Sequence, residues 1–131
     1  MTMQYAVRQL GDVTVLDLSG RMSLGDALAF GPETGPMPHE LVRDLATTGH
    51  KKLLLNLGEV TYIDSSGLSE LVVCMTAARN RGGQLRICNV NSRVDDLLRI
   101  TRLDLVLNVN EDEMTAVQAF GSEQPKSAPA V

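Results

Sequence analysis

Hydrophobic positions along the chain change their period several times, and each change marks an element. Gln4 to Gln9 and Asp12 to Ser19 alternate apolar with polar residues around Gly11-Asp12, which predicts an opening β-hairpin. In its second strand Thr14, Leu16 and Leu18 share one face and Val13, Val15 and Asp17 the other; the first face is expected to meet the core. From Leu24 to Pro38 the pattern breaks. Gly25, Gly31, Gly35, Pro32, Pro36 and Pro38 interrupt any helix there and predict a long loop, of the kind that in compact domains tends to carry function.

Helical spacing returns from His39 to Thr48, with Leu41, Val42 and Leu45 on one face, Pro38 at the entry and Gly49 at the exit. Leu53-Leu54-Leu55-Asn56-Leu57 is nearly continuously apolar, as expected for a central strand covered on both faces. Extended residues 58–63 lead to the polar turn Asp64-Ser65-Ser66-Gly67, after which Leu68, Leu71, Val72, Met75 and Ala78 predict an amphipathic helix ending at Gly82-Gly83. Gln84 to Cys88 reads as a strand. Ser92-x-x-Asp95 resembles a capping box opening a further helix, and Leu103 to Val109 predicts a last strand. Glu111 to Phe120 predicts a final helix, and Gly121 to Val131 a disordered tail. The order implies one α/β domain over residues 1–120, a mixed β-sheet with an N-terminal hairpin and about four covering helices.

Composition narrows the function. At 131 residues with 44% hydrophobic and 21% charged, the chain is ordinary for one globular domain. Aromatics are 3%, which leaves few stacking platforms for bases, and the formal charge of −4 is the wrong sign for phosphate backbones or anionic lipid. Direct nucleic-acid binding is not expected. The first ten residues lack the apolar core of a signal peptide and no run approaches a membrane span, so no membrane insertion and a cytoplasmic location are expected. Cys74 and Cys88 lie in apolar surroundings and read as buried free thiols, with no metal site.

Catalytic machinery is hard to assemble from these residues. The nucleophile elbow needs Gly two positions before its serine, where Ile63 stands before Ser65. His39 and His50, the only histidines, flank a predicted surface helix. Neither phosphate-cradling glycine motif occurs, so no catalytic residue and no cofactor is assigned. The Asp64–Gly67 turn is the distinctive feature: small polar residues between a buried strand and an apolar helix, where backbone N–H groups are open to an anion. Two readings fit those residues. A phosphoserine there would meet the positive end of the helix, or Asp64 or a serine caps the helix and Gly67 permits close packing.

Gly20-Arg21 after the second strand, Leu54-Leu55-Asn56-Leu57 entering Val60-Thr61-Tyr62-Ile63-Asp64-Ser65-Ser66-Gly67-Leu68, then Gly82-Gly83 and Asn89, together resemble a bacterial anti-sigma factor antagonist, a stand-alone STAS domain. The resemblance covers roughly residues 4 to 120. It implies that Ser65 is phosphorylated, with Ser66 second to it, and that Asp64, Ser65, Ser66, Gly67, Leu68, Arg21 and Ser23 meet the partner. That partner is an anti-sigma factor with serine kinase activity. The unphosphorylated form binds it, phosphorylation cancels binding, and a metal-dependent serine phosphatase resets the cycle. Ser23 stands where many members carry an acidic residue, and the segment after it is enlarged. An alternative keeps the fold in a non-phosphorylated subunit of a membrane transport or lipid-trafficking complex. A small nucleotide-binding or hydrolytic enzyme is a third reading with little beyond the fold to support it.

Overall fold

The computed structural model describes residues 3–23 and 37–127, with side chains described from Gln4 to Phe120 within those ranges. Most of the loop expected from Leu24 to Pro38, and residues 128–131 of the expected tail, lie outside the described residues. Five strands form one sheet in chain order: β1 (Met3–Leu10), β2 (Val13–Met22), β3 (Lys52–Ile63), β4 (Gln84–Cys88) and β5 (Val109–Asn110). β1 and β2 are antiparallel, closed through Gly11 at φ 60, and every later pairing is parallel. Four α-helices are found among the described residues: α1 (Pro38–Thr47), α2 (Ser65–Asn80), α3 (Ser92–Ile100) and α4 (Glu113–Ser127).

β3 is the middle strand, and Leu53, Leu54 and Leu55 are each 0% exposed. Burial on both faces follows from helices on both sides. The larger core joins Leu16 and Leu18 of β2 to Leu53, Leu55 and Leu57 of β3, Val42 of α1, Leu71 and Met75 of α2, and Leu98 of α3. The smaller core joins Val13, Val15, Leu54 and Cys88 to Ala116 and Phe120 of α4. Leu16 and Leu18 thus take the core side expected of them. The opposite face of β2 is covered as well, because α4 packs Phe120 against Val13 and Val15. Thr14, in the predicted core row, is satisfied by polar partners: its hydroxyl is 2.9 Å from Gln9 Oε1 and 3.0 Å from His50 Nδ1.

Local chemistry moves several predicted boundaries. The N-cap of α3 is Asn91 and not Ser92: the Asn91 side chain accepts from Val94 N–H at 2.9 Å, while Asp95 pairs with Arg99 one turn on at 2.9 Å. The strand expected from Leu103 to Val109 shrinks to Val109–Asn110. Arg102 adopts φ 65 and turns the chain, and the Val106 N–H bonds Leu103 O at 3.0 Å, three residues back, so Leu103–Leu105 closes as a 3-10 turn. Helix α1 starts at Pro38, where Glu40 accepts from the Met37 N–H at 2.8 Å, and ends at Thr47 before Gly49 at φ 103. Helix α4 runs to Ser127, past the end expected at Phe120 and into the segment expected to be disordered.

Candidate functional site

β2 and β3 run parallel and finish together, with Arg21 in register with Tyr62 and Met22 with Ile63. The chain leaves β3 through Asp64, which is extended at φ −120, ψ −171, and enters α2 at Ser65. The turn therefore sits at the carboxyl end of the parallel strands, where open α/β sheets place their binding sites.

Asp64 organises this turn. Its Oδ1 accepts from the Gly67 N–H at 3.0 Å and from the Ser66 hydroxyl at 2.6 Å, and its Oδ2 accepts from the Ser23 hydroxyl at 2.8 Å. The Ser66 donor, opposed by slight burial and aided by the Ser23 hydroxyl and backbone N–H groups, holds the Asp64 carboxyl below the usual carboxylate range. Ser23 donates here, where an acidic residue would face Asp64 as a like charge. Ser65, beside this hub, is exposed, and among the described residues its hydroxyl takes part in no hydrogen bond.

Gly67 is fixed by space. A Cβ at this position would lie 2.2 Å from the Met22 carbonyl oxygen and 2.7 Å from Ile63 Cγ1. The helix can enter this close to β2 only without a side chain there. The Arg21 guanidinium stacks over the Tyr62 ring at 4.2 Å to its centre, which orients an exposed cation beside the turn.

Leu68 is 5% exposed and belongs to the larger core, yet it also floors a groove of about 440 Å³ whose walls include Ser65, Val72, Val73, Thr101 and Leu103. Val73 is 42% exposed, and Leu105 and Val106 in the neighbouring turn are 72% and 47% exposed. The candidate acceptor hydroxyl thus opens onto an apolar surface, a combination suited to protein docking. The structure brings Asp64, Ser65, Ser66, Gly67, Leu68 and Ser23 into one cluster, with Arg21 at the neighbouring strand end. Sequence reading missed Leu103 because Leu103 to Val109 was expected as a strand. Val73 stands outside the apolar stripe of α2, and that was the available signal.

The histidines are engaged elsewhere. His39 begins no free surface helix: its Nδ1 and backbone N–H both lie 2.7 Å from Glu70 Oε2. His50 Nδ1 meets Thr14. Both cysteines are buried and free; burial, with a smaller contribution from nearby carboxylates, pushes the Cys88 thiol up to about 12 and that of Cys74 well above its ordinary value. Among the described residues no group of three or more His, Cys, Asp or Glu could hold a metal ion, and no helix is long and apolar enough to cross a membrane.

This geometry matches a known regulatory fold. Residues 4–116 match the STAS domain, and the chain belongs to that family. It is 32% identical over 78 residues to the anti-sigma-B factor antagonist of Staphylococcus aureus (strain NCTC 8325), spanning 60% of this chain and 72% of that protein. An anti-sigma factor antagonist from Mycobacterium paratuberculosis superimposes with a TM-score of 0.72 at 17% identity, over 90% of this chain and 93% of the other. The Bacillus cell fate determinant SpoIIAA in its phosphorylated form does so with a TM-score of 0.60 at 12% identity, over 88% and 99%. At these identities the structures establish the fold. STAS anti-sigma factor antagonists are regulatory proteins and not enzymes.

Proposed function

We propose that the chain is an anti-sigma factor antagonist that binds an anti-sigma factor with serine kinase activity and is released from it by phosphorylation of Ser65. One observation carries the choice of residue: of the two adjacent serines, Ser66 is tied to Asp64 at 2.6 Å while Ser65 is exposed and lines the apolar groove. The kinase would transfer the terminal phosphoryl group of ATP to Ser65 Oγ, with the hydroxyl proton passing to a base of the kinase and ADP leaving. A metal-dependent serine phosphatase would hydrolyse the ester and restore the binding form. The names of the S. aureus and M. paratuberculosis relatives, and the phosphorylated state of the Bacillus one, support this reading. The work of such a protein is cytoplasmic.

Phosphate adds about −1.5 to −2 charge at the rim of an apolar docking surface, and a partner matched to a neutral hydroxyl loses affinity without any change of fold. Binding by calorimetry to the anti-sigma kinase tests this. Ser65→Ala is expected to bind as the unmodified protein does and to stay bound in the presence of ATP, while Ser65→Glu binds weakly. Equal affinities for all three forms would sink the proposal.

A further inference from the structure

Two hydrogen-bonded clamps fasten the described ends that flank residues 24–36 to the same helix. At the leading end the Ser23 hydroxyl donates to Asp64 Oδ2 at 2.8 Å, at the start of α2. At the trailing end the backbone N–H of His39 donates to Glu70 Oε2 at 2.7 Å, and the His39 Nδ1 lies 2.7 Å from the same oxygen. Glu70, on α2, is 1% exposed. A buried carboxylate is costly unless donors satisfy it, and the first turn of α1 supplies them.

The clamps differ in what they share with Ser65. Glu70 accepts inside the fold, away from the helix terminus. Asp64 is the immediate neighbour of Ser65, and its carboxylate rests on the Gly67 N–H and the hydroxyls of Ser66 and Ser23. A phosphate on Ser65 competes for those same donors and repels Asp64 as a like charge. A serine hydroxyl can turn from one acceptor to another, which an acidic side chain at this position could not do. Met22 cannot follow, because its carbonyl is packed against Gly67.

We infer that phosphate on Ser65 opens the Ser23 clamp while the Glu70 clamp stays closed, making Ser23 a positioning residue that couples phosphorylation to the path of the chain where it leaves β2. This rests on Ser65 being the acceptor. Phosphorylation then alters the docking surface twice, by charge at Ser65 and by release at Ser23.

The test installs phosphoserine at position 65 of the whole chain by genetic encoding, so that no kinase is needed, and follows amide hydrogen exchange by NMR. Phosphoserine is expected to speed exchange of the Ser23 amide by about tenfold and to leave His39, Glu40 and Leu41 unchanged. Ser23→Ala should exchange fast at that amide with or without phosphate; Ser23→Thr, which keeps the hydroxyl, should restore the response. Glu70→Gln should speed His39 to Leu41 in both states while Ser23 still responds. An unresponsive Ser23 amide in the native sequence, or an equal response in Ser23→Ala, overturns the coupling. Because the phosphate is built in, failure of the coupling is distinguishable from failure of the acceptor assignment, which only a kinase reaction reads.

Discussion

The chain enters α2 and α3 by two turns built on one plan. Each follows a parallel strand, each is capped by a side chain that accepts the N–H three residues on, Asp64 from Gly67 at 3.0 Å and Asn91 from Val94 at 2.9 Å, and each places an exposed serine, Ser65 or Ser92, in the first helical position. Their surroundings separate them. Asp64 carries charge and gathers two further hydroxyls, Gly67 is wedged under β2, and Ser65 opens onto Leu68, Val72, Val73 and Leu103. Ser92 opens onto a polar hollow with Asp95, Arg99, Asn110 and Glu111. An exposed serine at a helix start thus does not set one turn apart from the other; the apolar rim and the charged hub beside Ser65 do.

The largest contrast should come from the third residue of each helix. Gly67→Ala forces a Cβ into the Met22 carbonyl and is expected to destabilise by about 3 kcal/mol, because backbone cannot yield as a side chain tip can. Val94→Ala removes two carbons from the core for about 1.5 kcal/mol. Urea unfolding of both variants reads the difference, and equal midpoints would break the comparison.

Next comes charge at the two serines. Ser65→Glu is expected to weaken anti-sigma kinase binding roughly a hundredfold, and Ser92→Glu by less than about twofold, measured by calorimetry. Loss of the caps should separate the turns further: Asp64→Ala frees three donors and should cost about 2 kcal/mol, against about 1 kcal/mol for Asn91→Ala. The smallest effect is that of pH. The Asp64 carboxyl is held below its ordinary value of 3.8, so its contribution is present above that value and is lost as pH falls through the lowered one. Asn91 does not titrate. Acidification below about pH 4 should therefore loosen the Gly67 amide selectively, by hydrogen exchange, and an equal loosening at Val94 would contradict the assignment.

The same comparison shows what could be read from sequence. The Asp64 turn was legible because small polar residues interrupt two apolar runs, and the central strand because Leu53 to Leu57 is apolar on both faces. The surroundings were less so. Leu103, Leu105, Leu107 and Val109 alternate as a strand would, but the left-handed Arg102 folds them into a tight turn and leaves Leu105 exposed, so one wall of the groove could not be foreseen. Burial of Val13 and Val15 depends on where α4 lands, and the Glu70–His39 contact joins residues far apart in sequence; neither carries a local periodicity. The preference for Ser65 over Ser66 came from the family resemblance alone; the contact that ties the Ser66 hydroxyl to Asp64 depends on a rotamer, which no local pattern shows.

The central claim is that Ser65 alone is the acceptor. Incubation with the anti-sigma kinase and magnesium ATP, followed by peptide mapping by mass spectrometry, tests it most directly. The account predicts one phosphate, on Ser65, absent in Ser65→Ala and removed by a serine phosphatase. Phosphate on Ser66 or Ser92, or a chain left unmodified while it binds the kinase, would contradict it.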